Sequence, residues 1–205
     1  MRPKKLSYAF AALNATGYIS NGGVSPWVLT GTTPGDGCGH LVTIHNDSAT
    51  DYTLNHATIT GTDAEGRAQT ETIHLPNVHA GGSDAVASTK YFKTVTSITH
   101  DAAVIAQTFD AGWGEVAVTP AYPTAVYPHD GPMVMVNIGG TINYTLQETN
   151  DQIFTNSPAA WATVGAAGKT ANFSANGSIG CTAVRVLVNS HTAGTADFMI
   201  SQARR

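Results

Sequence analysis

The chain has 205 residues, with ten Lys and Arg against fourteen Asp and Glu and a formal net charge of −4. Charged residues make up only 12% of it, so it lacks the basic face that nucleic-acid binding requires. No apolar run is long enough for a membrane-spanning helix, and abundant Gly, Thr, Ala and Ser suit short strands and tight turns better than helices.

Residues 1–22 carry Arg2, Lys4, Lys5, Leu6, Tyr8, Phe10, Leu13 and Tyr18. Basic residues before a short apolar run have the outline of a signal peptide, but Ser7 and Tyr8 interrupt the run. Tyr8, Phe10 and Ala12 alternate like a strand, while residues 9–13 would equally make one helical turn. Such large apolar side chains need burial. The segment therefore reads as an N-terminal arm that packs on its own domain or on a neighbouring subunit, and these eight residues are its candidate partner contacts.

Residues 24–30 form a strand candidate with Pro26 near its start, and the glycines of 31–40 make a loop. Residues 41–45 are the next strand. Residues 57–62 and 67–75 read as a β-hairpin, because Asp63 opens a turn and Gly66 supplies a positive φ. After Pro76, residues 88–99 carry Tyr, Phe, Val, Thr and Ile at strand density, which predicts a three-stranded meander. Residues 103–109 and 115–119 complete a series whose spacing suits a sandwich or barrel.

Four prolines within 119–132 disfavour a central strand. Residues 120–132 are read as a linker between a β-sandwich domain (23–119) and a second β domain (133–205); a long connection within one sandwich is the alternative. In the second domain, Gly139-Gly140 between 133–138 and 141–147 predicts a hairpin with a two-residue turn. A final hairpin pairs 181–188 with 196–201 through a turn at 190–194. The fold expected is all-β, an antiparallel sandwich or barrel-like arrangement of two small domains.

Chemistry-bearing patterns are sparse. Asp36-Gly37-Cys38-Gly39-His40 places a thiol two residues from an imidazole, but partners so close in an extended chain run side by side without converging. A Gly-rich loop explains the same letters. The eight histidines, His40, His45, His56, His74, His79, His100, His129 and His191, show no metal-ligand spacing, and Cys38 and Cys181 stand far apart, expected as free thiols. The acidic residues fit no calcium loop, and Asp47 and Asp63 have turn roles. No catalytic residue, metal site or cofactor is therefore expected. Trp27, Trp113 and Trp161 suit core or interface anchors, with sugar stacking as the alternative.

The string GTDAEGRAQTET followed by TKYFKTVTSI resembles a motif in virion proteins of tailed bacteriophages, often encoded among head and neck genes. The resemblance implies a non-enzymatic virion structural component and identifies no functional residue. The function expected is capsid decoration or cement: a homo-oligomer, with a trimer suggested by symmetry, bridging subunits of the major capsid protein in the virion after assembly in the host cytoplasm. A neck, collar or tail accessory protein is the second expectation, and a glycan-binding module the third. Neither nucleic acid nor membrane is an expected partner.

Overall fold

The computed structural model describes residues 4–23, 26–77, 84–101, 109–124, 131–153, 159–178 and 180–201. The strands in chain order are β1 (Lys4–Ala9), β2 (Asn14–Gly22), β3 (Gly39–Asn46), β4 (His56–Thr62), β5 (Ala68–His74), β6 (Ala85–Phe92), β7 (Thr94–His100), β8 (Phe109–Val118), β9 (Tyr122–Pro123), β10 (Met133–Thr149), β11 (Ala162–Thr163), β12 (Phe173–Asn176) and β13 (Ala183–Ser201). The described pairings are antiparallel, so the all-β expectation holds. Among the described residues no helix is long and apolar enough to cross a membrane.

The chain forms two compact units: Met1–Phe10 with Glu115–Arg205, and Ala11–Gly114. The division falls within β8, whereas the sequence suggested a boundary at 120–132. Residues 1–22 are shared between the units. Of the proline-rich segment, residues 125–130 lie outside the described residues, and Tyr122 and Pro123 pair with Val184 and Ala183.

The unit formed by Ala11–Gly114 is a two-layer β arrangement. One layer is the three-stranded sheet β5-β4-β7, and the other holds β2, β3, β6 and residues 109–114 of β8. Along β4 the alternation is strict: Ala57, Ile59 and Gly61 are buried, while Thr58, Thr60 and Thr62 face outward. Ile59, Ile98, Val95 and Leu75 pack with Phe92, Ile44, Val42 and Phe109 in one apolar core. Each such large side chain stabilises the fold by about 1.5–3 kcal/mol relative to exposure. The expected hairpin is present, with register His56↔His74 to Thr62↔Ala68. Its turn is closed by Gly66 N donating to Asp63 O at 3.0 Å and by Asp63 Oδ1 accepting from Arg67 N at 2.8 Å.

The predicted third strand, 88–99, divides into β6 and β7, which belong to different sheets. Phe92 and Val95 are both fully buried. A straight strand would point two residues of opposite parity to opposite faces, so the chain turns a corner at Lys93. Of the strand expected at 24–30, residues 26–30 are not in strand and 24–25 lie outside the described residues, as do most of 103–109.

The other unit is built on one long pair rather than two short hairpins. β10 and β13 run antiparallel from Met133↔Ser201 to Thr149↔Ala183. Gly139-Gly140 makes no turn. Gly140 (φ 103°) lies opposite Gly194 (φ 147°), where the two backbones approach so closely that a Cβ on Gly194 would sit 2.3 Å from Gly139 O. Register shifts follow at Thr141/Ile142 and Asn143/Tyr144. Val134, Val136, Ile142, Tyr144 and Leu146 are all buried, so one face stays inward through the kink. β1 pairs with β13, and β12 with β10.

Candidate functional site

The candidate arm residues do not form one surface. Lys4, Lys5, Leu6 and Tyr8 lie on β1, in register with Ile200, Met199, Phe198 and Ala196. Lys5 Nζ is 2.8 Å from Asp197 Oδ2, Lys4 Nζ lies 5.0 Å from the centre of the Tyr122 ring, and Tyr8 meets Phe198 edge-on at 5.7 Å. Phe10 is buried against His191. Tyr18 is fully buried in the other unit, edge-on to Trp113 at 5.1 Å, and is a core residue rather than a contact. Leu13 is 57% exposed, and Arg2 lies outside the described residues.

Asp36 and His40 meet through a loop that Gly37 turns at φ 79°, whereas Cys38 Sγ is directed to Asp36 O at 3.9 Å rather than to the imidazole. Asp36 Oδ2 is 2.7 Å from His40 Nε2 and accepts from Ala11 N at 2.8 Å, while Oδ1 accepts from Cys38 N at 2.9 Å. His40 Nδ1 faces Gly114 O at 3.1 Å. Both ring nitrogens and both carboxylate oxygens are thus engaged by the fold. Burial acts to raise the Asp36 carboxyl, but the bonds from His40 and the Ala11 and Cys38 amides outweigh it and hold it below the usual range. Burial, with the Asp36 charge, pushes the Cys38 thiol far up. A nucleophilic thiol needs the reverse environment, exposed and electropositive. The arrangement locks a loop to two strands.

The remaining histidines are dispersed. His100 packs on Trp27 at 5.1 Å, His191 Nδ1 lies 3.1 Å from Glu115 O, and His56 and His74 sit together on the outer face of the β4–β5 hairpin. His79 and His129 lie outside the described residues. Among the described residues no group of three or more His, Cys, Asp and Glu is placed to hold a metal ion. Both cysteines are free and buried.

Of the tryptophans, Trp27 and Trp113 are core residues. Trp161 borders a depression of about 290 Å³ with Asn150 and Asp151, but the Arg185 guanidinium already lies 4.0 Å from the centre of its ring.

In the Ala11–Gly114 unit, the sheet β5-β4-β7 turns one side outward. Thr72, Thr58 and Thr99 form one row across it, and Thr70 and Thr60 contribute to the next. The outward positions of β4 and β5 carry no Lys, Arg, Asp or Glu. Sequence reasoning missed this face, although the alternating threonines of 58–62 and 70–72 were its signal. The same hairpin carries most of the residues on which the virion resemblance rests, and several have folding roles. Glu71 accepts from Thr89 N, Thr89 Oγ1 and Lys90 N at 2.7–2.8 Å, and Gln69 Nε2 donates to Tyr91 O at 2.6 Å, tying β5 to β6.

No protein-family model matches the chain, and no curated protein matches it. Among solved structures, the major capsid protein P2 from Bacteriophage PM2 is similar at a TM-score of 0.22 and 8% identity over 96% of each chain, a level that carries no argument about function.

Proposed function

We propose that this chain is a non-enzymatic structural protein of a bacteriophage virion, a capsid decoration or cement protein that bridges capsid subunits. The observation that carries the reading is the threonine face of β5-β4-β7. The motif resembling tailed-phage virion proteins folds into this sheet and the adjoining β6, and Asp63, Arg67, Gln69 and Glu71 are occupied in holding it together. The threonines point outward, and the outward positions of β4 and β5 carry none of the charges that keep an exposed sheet solvated. Such a face loses little desolvation free energy when a neighbour covers it, and standard interfaces bury about 1,600 Å² in total. Repetition as a homo-oligomer, a trimer on symmetry grounds, would add avidity. Leu54, 89% exposed, is an apolar knob for such a contact.

The partner in this reading is the major capsid protein, the location the virion after assembly in the host cytoplasm, and no chemistry is performed. Imaging labelled native particles tests it. On the order of hundreds of copies spread over the head support decoration, and about six or twelve at one vertex support a neck or collar protein instead. Absence from particles, together with binding of host polysaccharide followed by tryptophan fluorescence, would replace both with glycan recognition.

A further inference from the structure

The outer face of the β4–β5 hairpin ends in two histidines that the virion reading leaves unused. His56 and His74 are direct register partners, and their ring centres stand 4.3 Å apart with the planes tilted by 42°. Each ring is anchored through Nδ1. His56 Nδ1 lies 3.1 Å from Asp101 Oδ2, and His74 Nδ1 lies 3.0 Å from Thr53 O. A carboxylate and a carbonyl can only accept, so each Nδ1 carries the hydrogen. Asp101 is itself fixed, because its other oxygen accepts from His56 N at 2.7 Å and its own N–H donates to His56 O at 3.2 Å.

In the neutral imidazoles this leaves the lone pair on Nε2 of both rings. Neither Nε2 has a hydrogen-bond partner among the described residues. The side chain of His56 is 40% exposed and His74 is exposed, so solutes reach them. Metal-ligating histidines are commonly held in this way, with the far nitrogen donating to a carboxylate or a backbone carbonyl.

We propose that His56 and His74 form a two-imidazole chelate for a late first-row divalent cation, with Asp101 and Thr53 O fixing both ligating tautomers. Imidazole ligation selects Cu²⁺ over Ni²⁺ and Zn²⁺ by intrinsic affinity. Among the described residues no third His, Cys, Asp or Glu completes a metal-holding group with them, so the other positions belong to water. The adjoining depression of about 400 Å³, lined by Thr58, Thr72 and Thr99 beside His56, has room for it and hydroxyls to bond it. The site stands on geometry alone and is independent of the virion reading.

Cu²⁺ is the probe. The full chain is titrated at neutral pH and followed by electron paramagnetic resonance, with the histidine ring resonances read in parallel by NMR. The chelate predicts a tight copper with two imidazole nitrogens and selective broadening of His56 and His74. His74→Gln should weaken binding at least about tenfold and leave one imidazole, and Asp101→Asn should weaken it by about tenfold. The broadening is measured on the unaltered protein, so it decides the matter even where a variant folds poorly. Broadening confined to other histidines, or copper spectra and affinities unchanged in His74→Gln, would overturn the proposal.

Discussion

At Asp36 three donors converge on one carboxylate: the His40 ring and the Ala11 and Cys38 amides. Burial opposes ionisation there, yet the bonds prevail and the carboxyl stays below its ordinary value. A folded-state value below the unfolded one contributes stability that is present above about pH 3.9 and is lost as pH falls through the folded value. The expected result is an acid-labile unit, and Asp36→Asn should lower stability at neutral pH by about 2–3 kcal/mol and flatten the acid limb of a urea-unfolding series. Cys38 and Cys181 have thiols raised chiefly by burial. Both should resist maleimide in the native protein and react on unfolding; rapid labelling of Cys38 in the folded state would contradict the structural role given to this cluster. The five letters from Asp36 to His40 were visible in the sequence, but the bond between the Asp36 carboxylate and the His40 ring was not. An extended reading sends the side chains along parallel lines, and only the turn at Gly37 brings the carboxylate back to the ring.

Strands and turns were legible where the signal was local. Asp63 and Gly66 specify their turn within four residues, and the hairpin around them forms as the spacing implied. Gly139-Gly140 carried an equally strong local signal with a different meaning, because a glycine pair also serves a kink in a continuous strand. What decides between the two is a partner about fifty residues away, beyond the reach of local pattern. The His56–His74 pair was hidden for the same reason, since it depends on cross-strand register. Gly61 offers a test of close packing between elements. A Cβ there would meet Thr94 O at 1.9 Å across the β4–β7 pair, so Gly61→Ala should destabilise by about 1–3 kcal/mol, read as a lower urea midpoint. Glu71→Ala removes the acceptor for three donors on β6 and should cost about 1–2 kcal/mol in the same measurement, with faster amide exchange at Thr89 and Lys90.

For the molecule as a whole, the proposed role is adhesion. One of its units presents a β surface whose outward positions along β4 and β5 carry no lysine, arginine or carboxylate, and the buried Asp36 and His40 of the same unit are bonded into the fold. Thr58 and Thr72 point away from the core, so carboxylates placed there leave its packing intact. They remove the 3.0 Å hydroxyl bond between these register partners and set like charges opposite each other, at a cost of about 0.2–1 kcal/mol. The same charges should oppose any partner that covers that surface. The most direct measurement is binding of purified protein to heads lacking it, comparing the natural chain with a Thr58→Glu/Thr72→Glu double variant whose circular dichroism shows that it keeps the native strand content. The account predicts saturable binding of the natural protein and at least about a tenfold loss of affinity for the variant, as desolvating two unpaired carboxylates requires. Equal occupancy by both proteins, or no binding of the natural protein to heads, would contradict it.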